Sequence, residues 1–128
     1  MLHITYDMAL EALKAAVEEK GEDFVYEKPD DAATCAYLHV DENGDMTVPG
    51  CGVGNALLRL GVSAKFLEDY NEGYGVGHLV RDADGRSQFT IDKKALALFF
   101  QFQTVQDNKG SWSLALSLAT SYVRDYHN

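Results

Sequence analysis

The fold of this chain depends on one stretch, residues 48–61, which reads Val48-Pro49-Gly50-Cys51-Gly52-Val53-Gly54-Asn55-Ala56-Leu57-Leu58-Arg59-Leu60-Gly61. The Pro and Gly residues of its first half predict a turn, and its second half predicts a two-turn helix that ends at Gly61. Cys51 is therefore expected at a helix N-terminus, where unpaired N–H groups favour a thiolate. Two interpretations follow: a reactive thiol, or a small apolar residue packed where a loop enters the core.

Toward the N-terminus, the pattern predicts one helix and one hairpin. Thr5 is suited to cap a first helix, which Gly21 would end. Residues 35–40 predict a strand, Asn43-Gly44 predicts a tight hairpin turn, and residues 46–48 predict the returning strand. Residues 24–26 are the only part of the acidic connector 18–31 with strand character.

Toward the C-terminus, three helices and a second hairpin are predicted. Ser63 opens a short helix; residues 78–80 and 87–90 predict two strands joined by a turn at residues 82–85. The longest helix runs from Thr90 or Asp92 to Lys109 and is broken by Gly110. Ser111 then opens a final helix that carries Trp112, Ala115, Leu118, Ala119, Tyr122 and Tyr126.

These elements predict an α+β fold: a mostly helical single domain over residues 1–128, with about five helices and one or two small β-hairpins. A chain of 128 residues with 46% hydrophobic residues is long enough to bury its own core. Its longest apolar stretch, residues 95–100, is too short to cross a bilayer. The first residues lack the basic region of a signal peptide, so a cytoplasmic protein is expected.

The charge balance disfavours nucleic acid as a partner. Twenty acidic residues against eleven basic ones give a net charge of −9, which repels phosphates. The same charge is compatible with a basic protein partner or simply with solubility. In a cytosolic chain the two cysteines, Cys35 and Cys51, are expected to be thiols, although their spacing also permits a disulfide.

One candidate chemistry is that of a small cysteine hydrolase. Papain-like and NlpC/P60-like enzymes place a nucleophilic cysteine at a helix N-terminus and a histidine on a later strand. Cys51 and His78 occur in that order, but only 26 residues separate them. Asp82 and Asp84 are the nearest groups that would orient the imidazole. The pair is therefore the alternative hypothesis rather than the leading one.

No cofactor or metal site is predicted. Cys35 and His39 are about 13 Å apart on an extended strand, so they cannot join Cys51 and His78 around one zinc ion. Residues 41–45 place Asp41, Asn43 and Asp45 like the first ligands of a calcium loop, but the turn glycine and the final glutamate are absent. Residues 73–77 contain three alternating glycines before a predicted strand, which favours a hinge over a phosphate-binding loop. His3 and His127 are expected to lack partners.

The last two helices carry more aromatic surface than one helix face can bury. Phe100 lies off the apolar stripe of its helix, and Trp112 and Tyr126 add to the surplus. Either the long helix is buried on all sides, or part of this region is a contact surface. Phe100, Trp112 and Tyr126 are the candidate binding residues, for another protein or for a second copy of the chain.

The opening stretch also resembles a group of small uncharacterised proteins of actinobacteriophages and actinobacteria. Their pattern Pro-x-Cys-x-Val-Gly-x-x-Leu-x-x-Leu-Gly matches residues 49–61, and later patterns resemble Phe89-Thr90, residues 103–107 and residues 112–116. The resemblance covers roughly residues 35–119. It implies a phage or actinobacterial origin and a cytoplasmic location, and it brings no assigned chemistry.

The leading functional hypothesis is therefore a non-enzymatic accessory protein that acts by protein–protein binding. Its partner would be an unidentified protein, for a phage product one of the host, with a homodimer as another arrangement. Neither nucleic acid nor a membrane is expected as a direct partner. The alternative remains the cysteine hydrolase with Cys51 and His78.

Overall fold

The computed structural model describes residues 1–27, 36–71 and 75–127. Ten elements follow in order: β1 (Leu2–Ile4), α1 (Tyr6–Lys20), β2 (Leu38–Val40), β3 (Met46–Pro49), α2 (Gly52–Arg59), α3 (Ala64–Glu68), α4 (Val76–Gly85), β4 (Phe89–Ile91), α5 (Lys93–Asp107) and α6 (Trp112–Tyr126). The described chain is thus mostly helical with a few short strands, which confirms the predicted α+β class.

Hydroxyl side chains begin three of the helices, as the sequence predicts. Thr5 accepts a hydrogen bond from the N–H of Met8 at the start of α1, and Ser111 accepts one from Leu114 at the start of α6. Ser63 does the same for α3. These bonds satisfy N–H groups that have no partner within the helix.

The predicted glycine after α2 is also confirmed. Gly61 has a φ of 95°, a conformation that glycine adopts without strain. The N–H of Val62 then donates to the carbonyl of Leu57 at 3.0 Å, and the Val62 side chain is buried. This turn ends α2 and directs the chain toward α3.

One hairpin is present among the described residues, and it is the one predicted around Asn43-Gly44. Strands β2 and β3 pair antiparallel, with His39 opposite Val48. Gly44 occupies the left-handed conformation at a φ of 85°. Residues 24–26 form no strand, and the predicted start of β2 at Cys35 lies outside the described residues.

The prediction of a second hairpin is wrong. Residues 76–85 form the helix α4, and β4 pairs in parallel with the N-terminal strand β1. The helical period was present in the sequence, since Val76, Leu79 and Ala83 are spaced by three and four residues and all three are buried. Pairing of β1 with β4 joins residues 85 positions or more apart, which no local pattern indicates.

Helix α5 lies at the centre of the structure. It contacts α1, α2, α4 and α6, and Leu98, Phe99 and Phe102 are fully buried in one core cluster. A central buried helix therefore accounts for much of the aromatic content. None of the helices in the described part of the chain is both long enough and apolar enough to span a bilayer.

Candidate functional site

Backbone hydrogen bonds hold the Pro-Gly-Cys turn against the segment that enters β2. The N–H of Gly50 donates to the Tyr37 carbonyl at 2.9 Å, and that of Cys51 donates to the Ala36 carbonyl at 2.8 Å. The Cys51 carbonyl accepts from the N–H of Asn55, which makes Cys51 the N-cap of α2. Cys51 is fully buried in the core cluster. In this arrangement a substrate in solution cannot reach its sulfur.

Glycines let α2 approach its neighbours closely. A Cβ atom at Gly52 would collide with the ring of Phe102, and one at Gly54 would collide with the backbone carbonyl of Tyr37. Gly54 thus keeps one face of α2 thin enough for the segment before β2 to pass close to it. Gly50, Gly52 and Gly54 therefore allow close packing between the turn, α2, α5 and the segment that enters β2.

A side chain from α5 caps the N-terminus of α2. Cys51 offers no side-chain cap, but the Gln106 Oε1 accepts a hydrogen bond from the N–H of Gly52 at 2.8 Å. The same oxygen accepts from the indole Nε1–H of Trp112 at 3.0 Å. Gln106 is itself buried, and its amide donates to Asp107. One buried side chain therefore joins α2, α5 and α6, a role the sequence analysis missed.

His78 lies on a helix and not on the predicted strand. It is exposed on α4, where its Nε2 lies 3.2 Å from the Arg81 guanidinium and 3.8 Å from an Asp82 oxygen. Cys51, by contrast, is enclosed in the core. The two candidate catalytic residues therefore occupy different environments, and the buried thiol disfavours the hydrolase alternative.

Asp82 has another partner. Its Oδ2 accepts a hydrogen bond from the Tyr70 hydroxyl at 2.8 Å, which lowers the pKa of Asp82. Burial raises the pKa of Tyr70. Arg86 stacks over the Phe66 ring and forms an ion pair with Asp69 at 2.9 Å. This polar cluster fastens α3 to α4, because each charge has an opposite charge or a hydroxyl beside it.

Asp41, which the sequence pattern compared with a calcium ligand and assigned to a hairpin turn, lies in such a turn. Asp41 accepts hydrogen bonds from the N–H groups of Asn43 and Asp45 and from the Thr47 hydroxyl, and these lower the pKa of its carboxyl group, the Thr47 bond most. This is the geometry of a hairpin turn. Within residues 1–27, 36–71 and 75–127, no group of three or more His, Cys, Asp or Glu side chains is placed to hold a metal ion.

His39 belongs to a partly buried contact between β2 and the segment after α1. Its Nε2 lies 2.8 Å from the Tyr26 hydroxyl, which also accepts a hydrogen bond from the N–H of Ala36. Burial lowers the pKa of His39, and the positive charge of Lys20 lowers it further. His39 is thus a strand histidine, as predicted, and Cys35 lies outside the described residues.

Of the alternating glycines at residues 73–77, Gly75 and Gly77 begin a helix, which corrects the prediction of a following strand. Gly75 is the N-cap of α4 without a side-chain hydrogen bond, and Gly77 lies in the first turn of that helix. Gly73 lies outside the described residues. The element before this stretch is the helix α3, whereas phosphate-binding loops follow a strand.

Both terminal histidines have partners, contrary to the prediction. The His3 ring lies 2.6 Å from the Thr90 hydroxyl through Nδ1 and 2.8 Å from Asp92 through Nε2. His127 contacts the ring of Tyr122. His3 is the register partner of Thr90, so these side-chain contacts join β1 to β4 and stabilise the parallel strand pair.

The three candidate binding residues divide between surface and core. Phe100 is 55% exposed and Tyr126 is 73% exposed. Trp112 is fully buried, which corrects its assignment to a contact surface: it packs on Phe24 and Phe102, and its indole N–H bonds to Gln106. A tryptophan whose N–H has a buried acceptor is satisfied inside the core.

Two further apolar side chains are exposed on α6, and sequence reasoning missed them. Leu114 is 49% exposed and Leu118 is 48% exposed. The signal that could have identified them is charge: residues 95–123 contain one acid, Asp107, and one base, Lys109. We call residues 95–123 the neutral hairpin. The whole net charge of −9 therefore lies outside it.

Comparison with known proteins identifies no relative: no family model, no curated protein and no solved structure matches this chain.

Proposed function

We propose that this protein is a non-enzymatic accessory domain that acts by binding another protein, and that it is a cytoplasmic product of an actinobacteriophage or actinobacterium. The observation that carries the binding role is the exposed Phe100 on the neutral hairpin. A phenylalanine more than half exposed on a helix with no charged residue between positions 95 and 106 is suited to burial against a partner.

The composition of the neutral hairpin supports this role. Single exposed apolar residues are ordinary on protein surfaces, so Phe100 alone would carry little weight. The cores of protein–protein interfaces, however, combine aromatic residues with depletion of charge. Residues 95–123 show both features, although the chain as a whole is 24% charged.

Affinity purification with a matched control tests the proposal. Tagged wild type, Phe100→Glu and Val40→Glu would be incubated with lysate of an actinobacterial host. Val40 is 56% exposed on β2, away from the neutral hairpin, so its variant controls for the added charge. The proposal predicts a stoichiometric protein retained by wild type and Val40→Glu and lost with Phe100→Glu.

Two results would contradict the proposal. One is recovery of nothing above background by the wild type in repeated experiments. The other is equal recovery of the same protein by Phe100→Glu, which would place the binding surface elsewhere. Circular dichroism of each variant checks that the fold is retained, which we expect because both substitutions are at exposed positions.

A further inference from the structure

The tip of the β2–β3 hairpin carries the dipeptide Asn43-Gly44, whose chemistry the proposed binding function does not use. Both residues are exposed, and Gly44 has a φ of 85°. The amide carbon of an asparagine, Cγ, can form a five-membered ring with the backbone nitrogen of the next residue. Glycine has no side chain to hinder this approach. The other asparagines of the described chain are each followed by a residue that has a side chain, so ring closure meets the least steric resistance at Asn43.

Hydrogen bonding also distinguishes Asn43 from the other asparagines. The others hold their side chains in hydrogen bonds of 2.8–3.0 Å: Asn55 with Arg59, Asn71 with both backbone groups of Leu38, and Asn108 with the Thr104 carbonyl. Within residues 1–27, 36–71 and 75–127, the side-chain amide of Asn43 meets no hydrogen-bond partner. It therefore turns toward the Gly44 nitrogen without breaking a hydrogen bond of its own.

We propose that Asn43 is a site of spontaneous covalent modification, where the side-chain amide is lost and an aspartyl or isoaspartyl residue forms. The Gly44 nitrogen gives up its proton and bonds to Asn43 Cγ, and the amide NH₂ group leaves with a proton as ammonia. Water then opens the cyclic imide: its OH bonds to one of the two carbonyl carbons, its hydrogen returns to the nitrogen, and the bond between them breaks. Opening at Cγ gives aspartate, and opening at the main-chain carbonyl carbon gives isoaspartate. Water is the only co-reactant.

Asp41 controls how readily the tip reaches the geometry for ring closure. The Gly44 N–H donates to the Asp41 carbonyl at 3.0 Å, and this bond must open before the nitrogen attacks. The Asp41 carboxylate also accepts the three hydrogen bonds of the turn described above, which hold the tip closed. All of these contacts lie at an exposed tip, where local opening costs less free energy than opening of the core. Asp41 is thus a positioning residue that slows the reaction without preventing it.

The modification changes the tip and leaves the base of the hairpin in place. Either product adds one negative charge near Asp41, and the isoaspartyl form adds one atom to the main chain of the turn. The hydrogen bond from the Asp41 N–H to the Asp45 carbonyl spans that turn and has to adjust. The base is held separately, because Asn71 binds both backbone groups of Leu38. The modified protein should therefore keep its fold and a melting temperature within about 5 °C of the original.

Incubation in mildly alkaline buffer, followed by peptide mapping with mass spectrometry, tests the proposal. The wild type should accumulate a more acidic form at a rate that does not depend on protein concentration. That rate should rise with pH, because the Gly44 nitrogen must lose a proton. In water enriched in a heavy oxygen isotope, the product should carry one heavy oxygen at this position. The rate at Asn43 should exceed that at each of the other three asparagines at least about tenfold, since their amides have hydrogen bonds to break.

Two variants and a denatured sample decide the outcome. Asn43→Gln keeps the amide but requires a larger ring, so it should give no acidic form from this position and is the matched control. Asp41→Ala removes the carboxylate bonds of the turn and should speed loss of the Asn43 amide at least about threefold. An unchanged rate in Asp41→Ala would overturn the role of Asp41.

The wild type unfolded in guanidinium chloride gives the rate of the free chain. Complete conversion there, with Asn43 still unmodified in the folded protein over the same period, overturns the inference. Faster loss of the amide at another asparagine of the folded protein overturns it as well. Neither measurement involves a binding partner, so this inference and the proposed function fail independently.

Discussion

Replacement of Gln106 by leucine tests the two buried hydrogen bonds through which this side chain connects α5 to α2 and α6. Gln106 is buried on α5, and its Oε1 accepts hydrogen bonds from the N–H of Gly52 and from the indole of Trp112. Leucine has a similar volume and no acceptor. Gln106→Leu therefore leaves both donors buried without partners while it disturbs packing little.

The magnitude follows from the two donors. A buried donor that loses its only acceptor costs about 1–3 kcal/mol, and loss of a helix N-cap costs about 1 kcal/mol. The added apolar surface of leucine offsets about 1 kcal/mol. With about 1–3 kcal/mol for the indole N–H, about 1 kcal/mol for the cap and the offset from leucine, we expect the free energy of unfolding to fall by about 1–3 kcal/mol. The melting temperature should fall by roughly 5–10 °C for a domain of this size.

Urea unfolding followed by circular dichroism measures this change. Gln101→Leu is the matched control, because Gln101 lies on the same helix with its side chain only partly buried; its effect should stay within about 0.5 kcal/mol. Trp112→Phe should cost less in the Gln106→Leu background than in wild type, since the indole N–H has then lost its acceptor already. The role of these hydrogen bonds would be refuted if Gln106→Leu were as stable as wild type. It would also be refuted if the free-energy changes of Gln106→Leu and Trp112→Phe simply added in the double variant.

Three other predictions concern the turn and its surroundings. Gly54→Ala should destabilise by at least about 2 kcal/mol, because its Cβ meets backbone, whereas Gly77→Ala, which meets open space in α4, should be neutral or up to about 1 kcal/mol stabilising in chemical denaturation. The lowered pKa of His39 means that the unfolded chain binds more protons; stability should fall as the pH drops below about 6.5, and His39→Gln should flatten that slope in urea titrations from pH 7.5 to 5. In a Cys35→Ser background, Cys51 should react with a thiol reagent only at the rate at which the protein unfolds; rapid reaction of the folded protein would restore the hydrolase hypothesis.

Local signals in the sequence predicted where several helices begin and where α2 ends. Thr5, Ser63 and Ser111 each satisfy an N–H group within their own first turn, and Gly61 ends α2 through its own φ angle. These preferences act over three or four residues and need no tertiary partner. The hairpin at Asn43-Gly44 has the same local origin.

Prediction failed where two patterns of similar strength compete. The segment that forms α4 contains two valines and a leucine, which suggested a strand, while the spacing of its buried residues is helical. Parallel pairing of β1 with β4 could not be predicted, because the paired residues are far apart in the sequence and no local pattern links them. The sequence therefore gives no sign of a partner for His3, whereas in the structure its ring contacts Thr90 and Asp92.

The sequence by itself determined that this is a helical α+β chain, where most of its helices begin and end, and that its excess of acidic charge lies outside residues 95–123. Only the tertiary structure decided what the Pro-Gly-Cys turn does and which aromatic residues face solvent. Cys51 is buried in the core cluster, and Gln106 of α5 caps α2 in place of a side chain from the turn itself. Trp112 can be buried because the same oxygen accepts a hydrogen bond from its indole N–H. A polar group is buried in a folded protein where it finds a hydrogen-bond partner, and here that partner comes from another helix. Composition and periodicity do not show which side chain the fold brings to that position.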